Sequence, residues 1–150
     1  MEHDKTIPRY LLGDPIRIQR IALELVTNAL KYTDKGEIIV STNLVKNENR
    51  EVIIELSVSD TGMGIPKDKH QEVYTRFTRL IPSYRGTYSG TGLGLSVVKQ
   101  FIDDLNGEIH IESDVGEGST FICLIPLQES LLVEDEEIVK DEDLMISDFF

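Results

Sequence analysis

Three stretches of this sequence carry residue types that can do chemistry. Asp60 closes an alternating apolar run and opens Asp60-Thr61-Gly62-Met63-Gly64-Ile65-Pro66. An ionised carboxylate only accepts hydrogen bonds, so it suits a ligand edge that offers a donor. Adenine presents an exocyclic amine at such an edge, where guanine presents a carbonyl that a carboxylate repels. Gly62 and Gly64 remove side chains, so backbone can lie against a flat base. Alone, the segment reads equally well as a glycine-rich turn after a strand. The second stretch is Gly90-Thr91-Gly92-Leu93-Gly94-Leu95-Ser96, running into a helical pattern. Alternating glycines before a helix N-terminus expose amides and the positive dipole end, which suits phosphate. No lysine follows as in a Walker loop, and the spacing is not that of a dinucleotide turn. A flexible linker is the alternative.

The third stretch is helical. Glu24, Asn28, Lys31 and Tyr32 recur three, four and eight positions apart, so they share one helix face. An asparagine within an apolar pattern is costly without partners. Its amide oxygen is a hard ligand that suits Mg²⁺, and Lys31 would then lie near the same phosphates. A solvated helix face explains the same residues if the helix stands alone.

The elements that must position these residues follow from pattern. Asp14-Pro15 reads as an N-cap followed by the first helical residue, and Ile18, Ile21, Ala22, Leu25, Val26 and Ala29 recur at helical spacing. Thr33-Asp34-Lys35-Gly36 stops that helix. Runs from Glu37 to Val45 and from Val52 to Ser59 predict a hairpin joined through Lys46–Arg50. Helical spacing returns at Leu95, Val98, Phe101, Ile102 and Leu105 and ends at Asn106-Gly107. Strand-like runs from Glu108 to Ser113 and from Ser119 to Leu127 flank a glycine-rich turn. The expected architecture is α+β, a two-layer sandwich of a mixed sheet with helices on one face.

Composition bounds the function. At 150 residues the chain is expected to be one domain over 1–128, followed by an acidic tail or linker over 129–150. The net charge of −12 argues against a broad nucleic-acid surface, and residues 129–150 carry −8 of it. No apolar run approaches a membrane span, and Met1–Lys5 has no signal-peptide character, so direct membrane contact is not expected. The lone Cys123 sits in a strand pattern and fits a buried thiol in a reducing compartment.

The three stretches, in this order, resemble the catalytic ATP-binding domain of sensor histidine kinases, within the gyrase, chaperone, kinase and mismatch-repair ATPase superfamily. Glu24–Thr33 is similar to the N box, Asp60–Ile65 to the G1 box and Gly90–Leu95 to the G2 box. Val73–Phe77 falls at the spacing of the F box, though Tyr74 and Thr75 stand where the family often has Phe and Glu. Gly116-Glu117-Gly118-Ser119-Thr120-Phe121 is similar to the closing turn. The resemblance covers about residues 10–127 and implies a Bergerat-type fold that binds ATP and Mg²⁺ under a lid. It implies Asp60 on the adenine amine with Thr120 near it through water, Asn28 on Mg²⁺ and Lys31 on phosphate. Tyr32, Gly62, Gly64 and Ile65 would belong to the nucleotide pocket. Gly90, Thr91, Gly92, Leu93, Gly94 and Leu95 would form the lid hinge and phosphate contact. Phe77 would anchor the lid and Arg79 would contact phosphate.

It also implies a cytoplasmic protein-histidine kinase fragment. The γ-phosphoryl group of ATP would pass to a histidine on a separate dimerisation domain, with a response-regulator receiver domain as later partner. Many histidine kinases carry Asn where Glu24 stands, whereas hydrolytic relatives use Glu to activate water. Glu24 is therefore a candidate general base, for the incoming histidine or for slow ATP hydrolysis, with a solvated helix carboxylate or a group that holds the Mg²⁺ ligands in place as the alternative. His3 and Pro8 have the offset of an H box, but the residues between do not match, and the N box follows too soon for the helical hairpin. Leu131-Leu132-Val133-Glu134-Asp135-Glu136 faintly resembles the first strand of a receiver domain, too short to form one.

Overall fold

The structure is a computed structural model that describes residues 1–62, 64, 68 and 94–131. Helix α1 (Pro15–Tyr32) begins where Asp14 and Pro15 predict. Asp14 is the N-cap, its Oδ1 accepting from the Arg17 amide at 3.0 Å. That amide bond, then the Arg17 guanidinium, holds the Asp14 carboxyl below its ordinary value against the opposing effect of burial. Ile18, Ile21, Leu25 and Ala29 form the buried stripe of α1. Thr33, with extended backbone, ends the helix.

Strands β1 (Glu2–His3), β2 (Leu11–Leu12), β3 (Ile38–Glu48), β4 (Glu51–Asp60), β5 (Glu108–Asp114) and β6 (Gly118–Glu129) make one six-stranded sheet. Its order is β1-β3-β4-β6-β2, with β5 also pairing β6. Among the described residues only the β1–β3 pairing is parallel, so the sheet is mixed as expected. Val52, Ile54, Leu56 and Val58 of β4 and Phe121, Cys123, Ile125 and Leu127 of β6 face the helices, because alternate strand residues point to one side. Helix α2 (Gly94–Asp104) packs beside α1 and adds Leu95, Val98 and Ile102 to the same core. Burial pushes the Cys123 thiol up to about 12.

The hairpin is longer than its sequence pattern indicates. Asn49 and Arg50, at φ 51° and 67°, form a two-residue left-handed turn that matches strand twist, so pairing runs on to Glu48↔Glu51. Asn106 at φ 58° terminates α2, with the Gly107 amide donating to the Ile102 carbonyl at 2.8 Å. Strands β1 and β2, two residues each, have no sequence signature. His3 lies in β1, its Nδ1 2.7 Å from Thr42 Oγ1. Asp4 beside it accepts from the Thr6 hydroxyl at 2.6 Å and the Leu44 amide at 3.0 Å, which lower its carboxyl to about 2. Among the described residues, no helix is long and apolar enough to cross a membrane.

Candidate functional site

Asp60 is the last residue of β4 and is only 6% exposed. Its Oδ1 accepts from the Gly62 amide at 2.8 Å. No partner of Oδ2 is found among the described residues, so one oxygen of a buried carboxylate is left to receive a donor. Four chain segments converge around it. A methyl group at Gly62 would overlap the Tyr32 carbonyl oxygen at the end of α1. One at Gly64 would overlap the Asp114 carbonyl oxygen, and one at Gly118, at φ 102°, the Asp60 carbonyl oxygen. Gly62 and Gly64 therefore lack side chains because the chain packs against itself here, a different reason from close approach to a base. Thr61 ties in the loop after α1: its amide donates to the Glu37 carbonyl at 3.2 Å and its Oγ1 accepts from the Glu37 amide at 3.0 Å.

The register of β4 and β6 decides what stands beside Asp60. Asp60 pairs with Ser119 and Ser59 with Thr120. Paired residues share a face, so Ser119, 7% exposed, lies on the inner face with Asp60. Thr120 lies on the outer face, where its hydroxyl is 2.9 Å from Ser59 Oγ. The structure thus does not bring Thr120 to the carboxylate, as the closing-turn resemblance implied. Counting alternation back from Phe121, Cys123 and Ile125 places 119, not 120, on the core side, and that signal was present in the sequence. Beyond Ser119, Ser113 of β5 completes a row of three polar residues across adjacent strands.

Helix α1 carries the second half of the site. Glu24, Asn28, Lys31 and Tyr32 are half-buried on it. Glu24 is 18% exposed in its side chain and pairs with Arg20 Nη2 at 2.6 Å. Such an i,i+4 pair contributes about 0.3–0.5 kcal/mol, so it matters as placement, not stability. A methyl carbon at Gly94 would lie 2.5 Å from Glu24 Oε2, so the carboxylate abuts the first residue of α2. Asn28 is one turn further along α1. Leu95 is buried in the core, 6% exposed, and serves packing. Ile65, Phe77, Arg79, Gly90, Thr91, Gly92 and Leu93 fall outside the described residues. Among the described residues, no three or more His, Cys, Asp or Glu gather as a metal site. An amide oxygen such as that of Asn28 suits a cation that takes its remaining ligands from phosphate and water.

Asp60, with one carboxylate oxygen held by Gly62, thus stands at the sheet end next to the C-terminus of α1. Residues 13–129 match the family of histidine kinase-, DNA gyrase B- and HSP90-like ATPases. The chain belongs to that family, as a catalytic ATP-binding domain of the kind found in sensor histidine kinases. Hybrid signal transduction histidine kinase L of Dictyostelium discoideum is 36% identical over 137 residues, covering 91% of this chain and 8% of that protein. The circadian input-output histidine kinase CikA of Synechococcus elongatus is 41% identical over 126 residues, covering 83% of this chain and 16% of that protein. The chain thus spans a small part of the curated relatives it matches. Full-length ShkA, crystallised in complex with AMPPNP, shares the fold at a TM-score of 0.65 and 24% identity, over 80% of this chain and 23% of that one.

Proposed function

We propose that this domain binds MgATP at the Asp60 end of the sheet and transfers the γ-phosphoryl group to a histidine of a separate dimerisation domain. The observation that supports the reading is the buried Asp60 carboxylate, one oxygen fixed by Gly62 and the other without a partner among the described residues, where the adenine amine could donate. Asn28 and Lys31, on the helix that ends against Gly62, are the proposed contacts of the triphosphate and its cation. Mg²⁺, held by Asn28 and phosphate oxygens, would neutralise charge on the transferring group. Ile65, Phe77, Arg79 and the Gly90–Leu95 segment are proposed to complete the pocket.

In the transfer, an acceptor imidazole nitrogen forms a bond to the γ-phosphorus as the bridge to the β-phosphate breaks and ADP leaves. The imidazole N–H proton passes to a base, and Glu24 is the proposed acceptor. Arg20 and the start of α2 fix the direction of Glu24, so the side chain is oriented before the acceptor arrives. The same carboxylate supports a second reading, hydrolysis, if water replaces the imidazole.

Residues 1–128 are proposed as the catalytic unit and 129–150 as an acidic tail or linker, although β6 itself runs to Glu129. The receiver domain of a response regulator is the proposed final acceptor, on the cytoplasmic side. The test is transfer of labelled phosphate from ATP to an added dimerisation domain. Wild type should label it, and Glu24→Gln should slow labelling by about 10²-fold or more without changing nucleotide affinity. Rapid ATP consumption with no labelled histidine would select the hydrolase reading, and an unchanged Glu24→Gln rate would remove the base assignment.

A further inference from the structure

Helix α1 is apolar on two sides. Ile18, Ile21, Leu25 and Ala29 face the core, but Ile16, Leu23 and Leu30 are 78%, 56% and 63% exposed. Residues seven apart on a helix fall nearly on one line, so these three form a strip about 21 Å long, opposite the buried stripe. Apolar residues scattered singly over a surface need no account, whereas an exposed line of them marks a binding face. Gln19, Arg20 and Thr27 border the strip, so it carries a positive charge, although Arg20 also pairs with Glu24, and no acid of its own. Helix α1 as a whole holds Arg17, Arg20 and Lys31 against Glu24, a net +2 in a chain of net −12.

We propose that this strip is the docking site of the chain's own acidic tail, residues 138–150, which lie outside the described residues. The chemistry of the two is complementary. Residues 132–150 hold eight acids and one lysine, a net −7. Within them Ile138, Val139, Met145, Ile146, Phe149 and Phe150 recur at the spacing of one helix face. That face fits an apolar strip, and the acids beside it fit the positive helix that carries the strip. The path is also short. Glu129 pairs with Leu11, and the Ser130 amide donates to the Tyr10 carbonyl at 3.1 Å. Leu11 stands four residues before Pro15, where α1 begins, so the chain leaves the sheet at the N-terminal end of the strip. Residues 131–137 can then span about 23 Å, enough to pass a helix of diameter about 10–12 Å and reach its outer side. Residues 138–150, as a helix, would be about 20 Å long, which matches the strip. The inference needs nothing of the nucleotide site.

Paramagnetic labelling of the full chain tests it. Gln19→Cys puts a nitroxide beside the strip and leaves Ile16, Leu23 and Leu30 in place, while the native Cys123 is buried and does not compete for the label. With the label oxidised, the amide resonances of residues 138–150 should be lost, equally at low and high protein concentration, and should return when the label is reduced. Leu23→Asp in the same labelled chain, a change at an exposed position that the fold tolerates, should restore them without reduction. Tail resonances that keep full intensity beside the oxidised label overturn the proposal. Loss that grows with concentration, and passes from a labelled chain to an unlabelled one, gives the strip to a second copy and overturns it too. Loss that persists in Leu23→Asp means that charge alone holds the tail near α1, and the apolar strip is then not its seat.

Discussion

Strand β4 has two ends built on opposite terms. At Glu51 the chain turns through Asn49 and Arg50, both left-handed, neither glycine and both exposed. At Asp60 a carboxylate and the Ser119 hydroxyl are buried, and Gly62, Gly64 and Gly118 each press against another segment's backbone. The first end is a local turn that exists to reverse the chain. The second brings polar groups out of water, a cost that good packing alone does not require. Where a fold sets a carboxylate at a sheet end, fixes one oxygen through the Gly62 amide and packs glycines backbone against backbone around it, the arrangement points to a ligand.

The comparison breaks most sharply at Gly118. Gly118→Ala places a methyl group into the Asp60 carbonyl at φ 102°, and should cost about 2–4 kcal/mol of unfolding free energy in denaturant titration. Gly116→Ala, two residues away at φ 83° with nothing within 4 Å, should cost only about 1 kcal/mol. Equal losses would mean that the close approach at Asp60 has no energetic weight.

A smaller effect belongs to the far end of α1. Asp14→Ala should cost about 1 kcal/mol through the lost N-cap while leaving nucleotide affinity unchanged. Because the Asp14 carboxyl is lowered in the fold, its contribution is present above the ordinary value of 3.8. It is lost as pH falls through the lowered folded value, so the wild-type advantage over Asp14→Ala should vanish in strong acid. The smallest effect is a gain. Arg50→Gly relieves a left-handed non-glycine residue and should stabilise by about 0.5–1 kcal/mol, read as a raised denaturation midpoint.

Much of the frame was legible because it rests on local pattern. Asp14-Pro15 and the spacing of Ile18, Ile21, Leu25 and Ala29 placed α1, and alternation from Val52 to Val58 placed β4. Asp60 was legible as a carboxylate where a strand ends. Two-residue strands such as β1 and β2 carry no periodicity, and their pairing with residues 41–42 and 128–129 is a long-range fact. The contacts of Gly62 with Tyr32 and of Gly64 with Asp114 are long-range too, so sequence pattern alone suggests close approach to a base and not to the chain itself. Thr120 was placed by motif alone. A one-residue difference in a strand changes the face, and the register gives the place beside Asp60 to Ser119.

The Asp60 end of the sheet is the proposed binding site for an adenine nucleotide. Calorimetric titration of the chain with Mg²⁺ and a non-hydrolysable ATP analogue tests it most directly, with Asp60→Asn in parallel. Wild type should bind saturably and be stabilised by about 2.7 kcal/mol at a hundred times the dissociation constant, and the variant should stay folded but lose binding. Equal binding by both proteins would contradict it, since the carboxylate would then play no part in recognition.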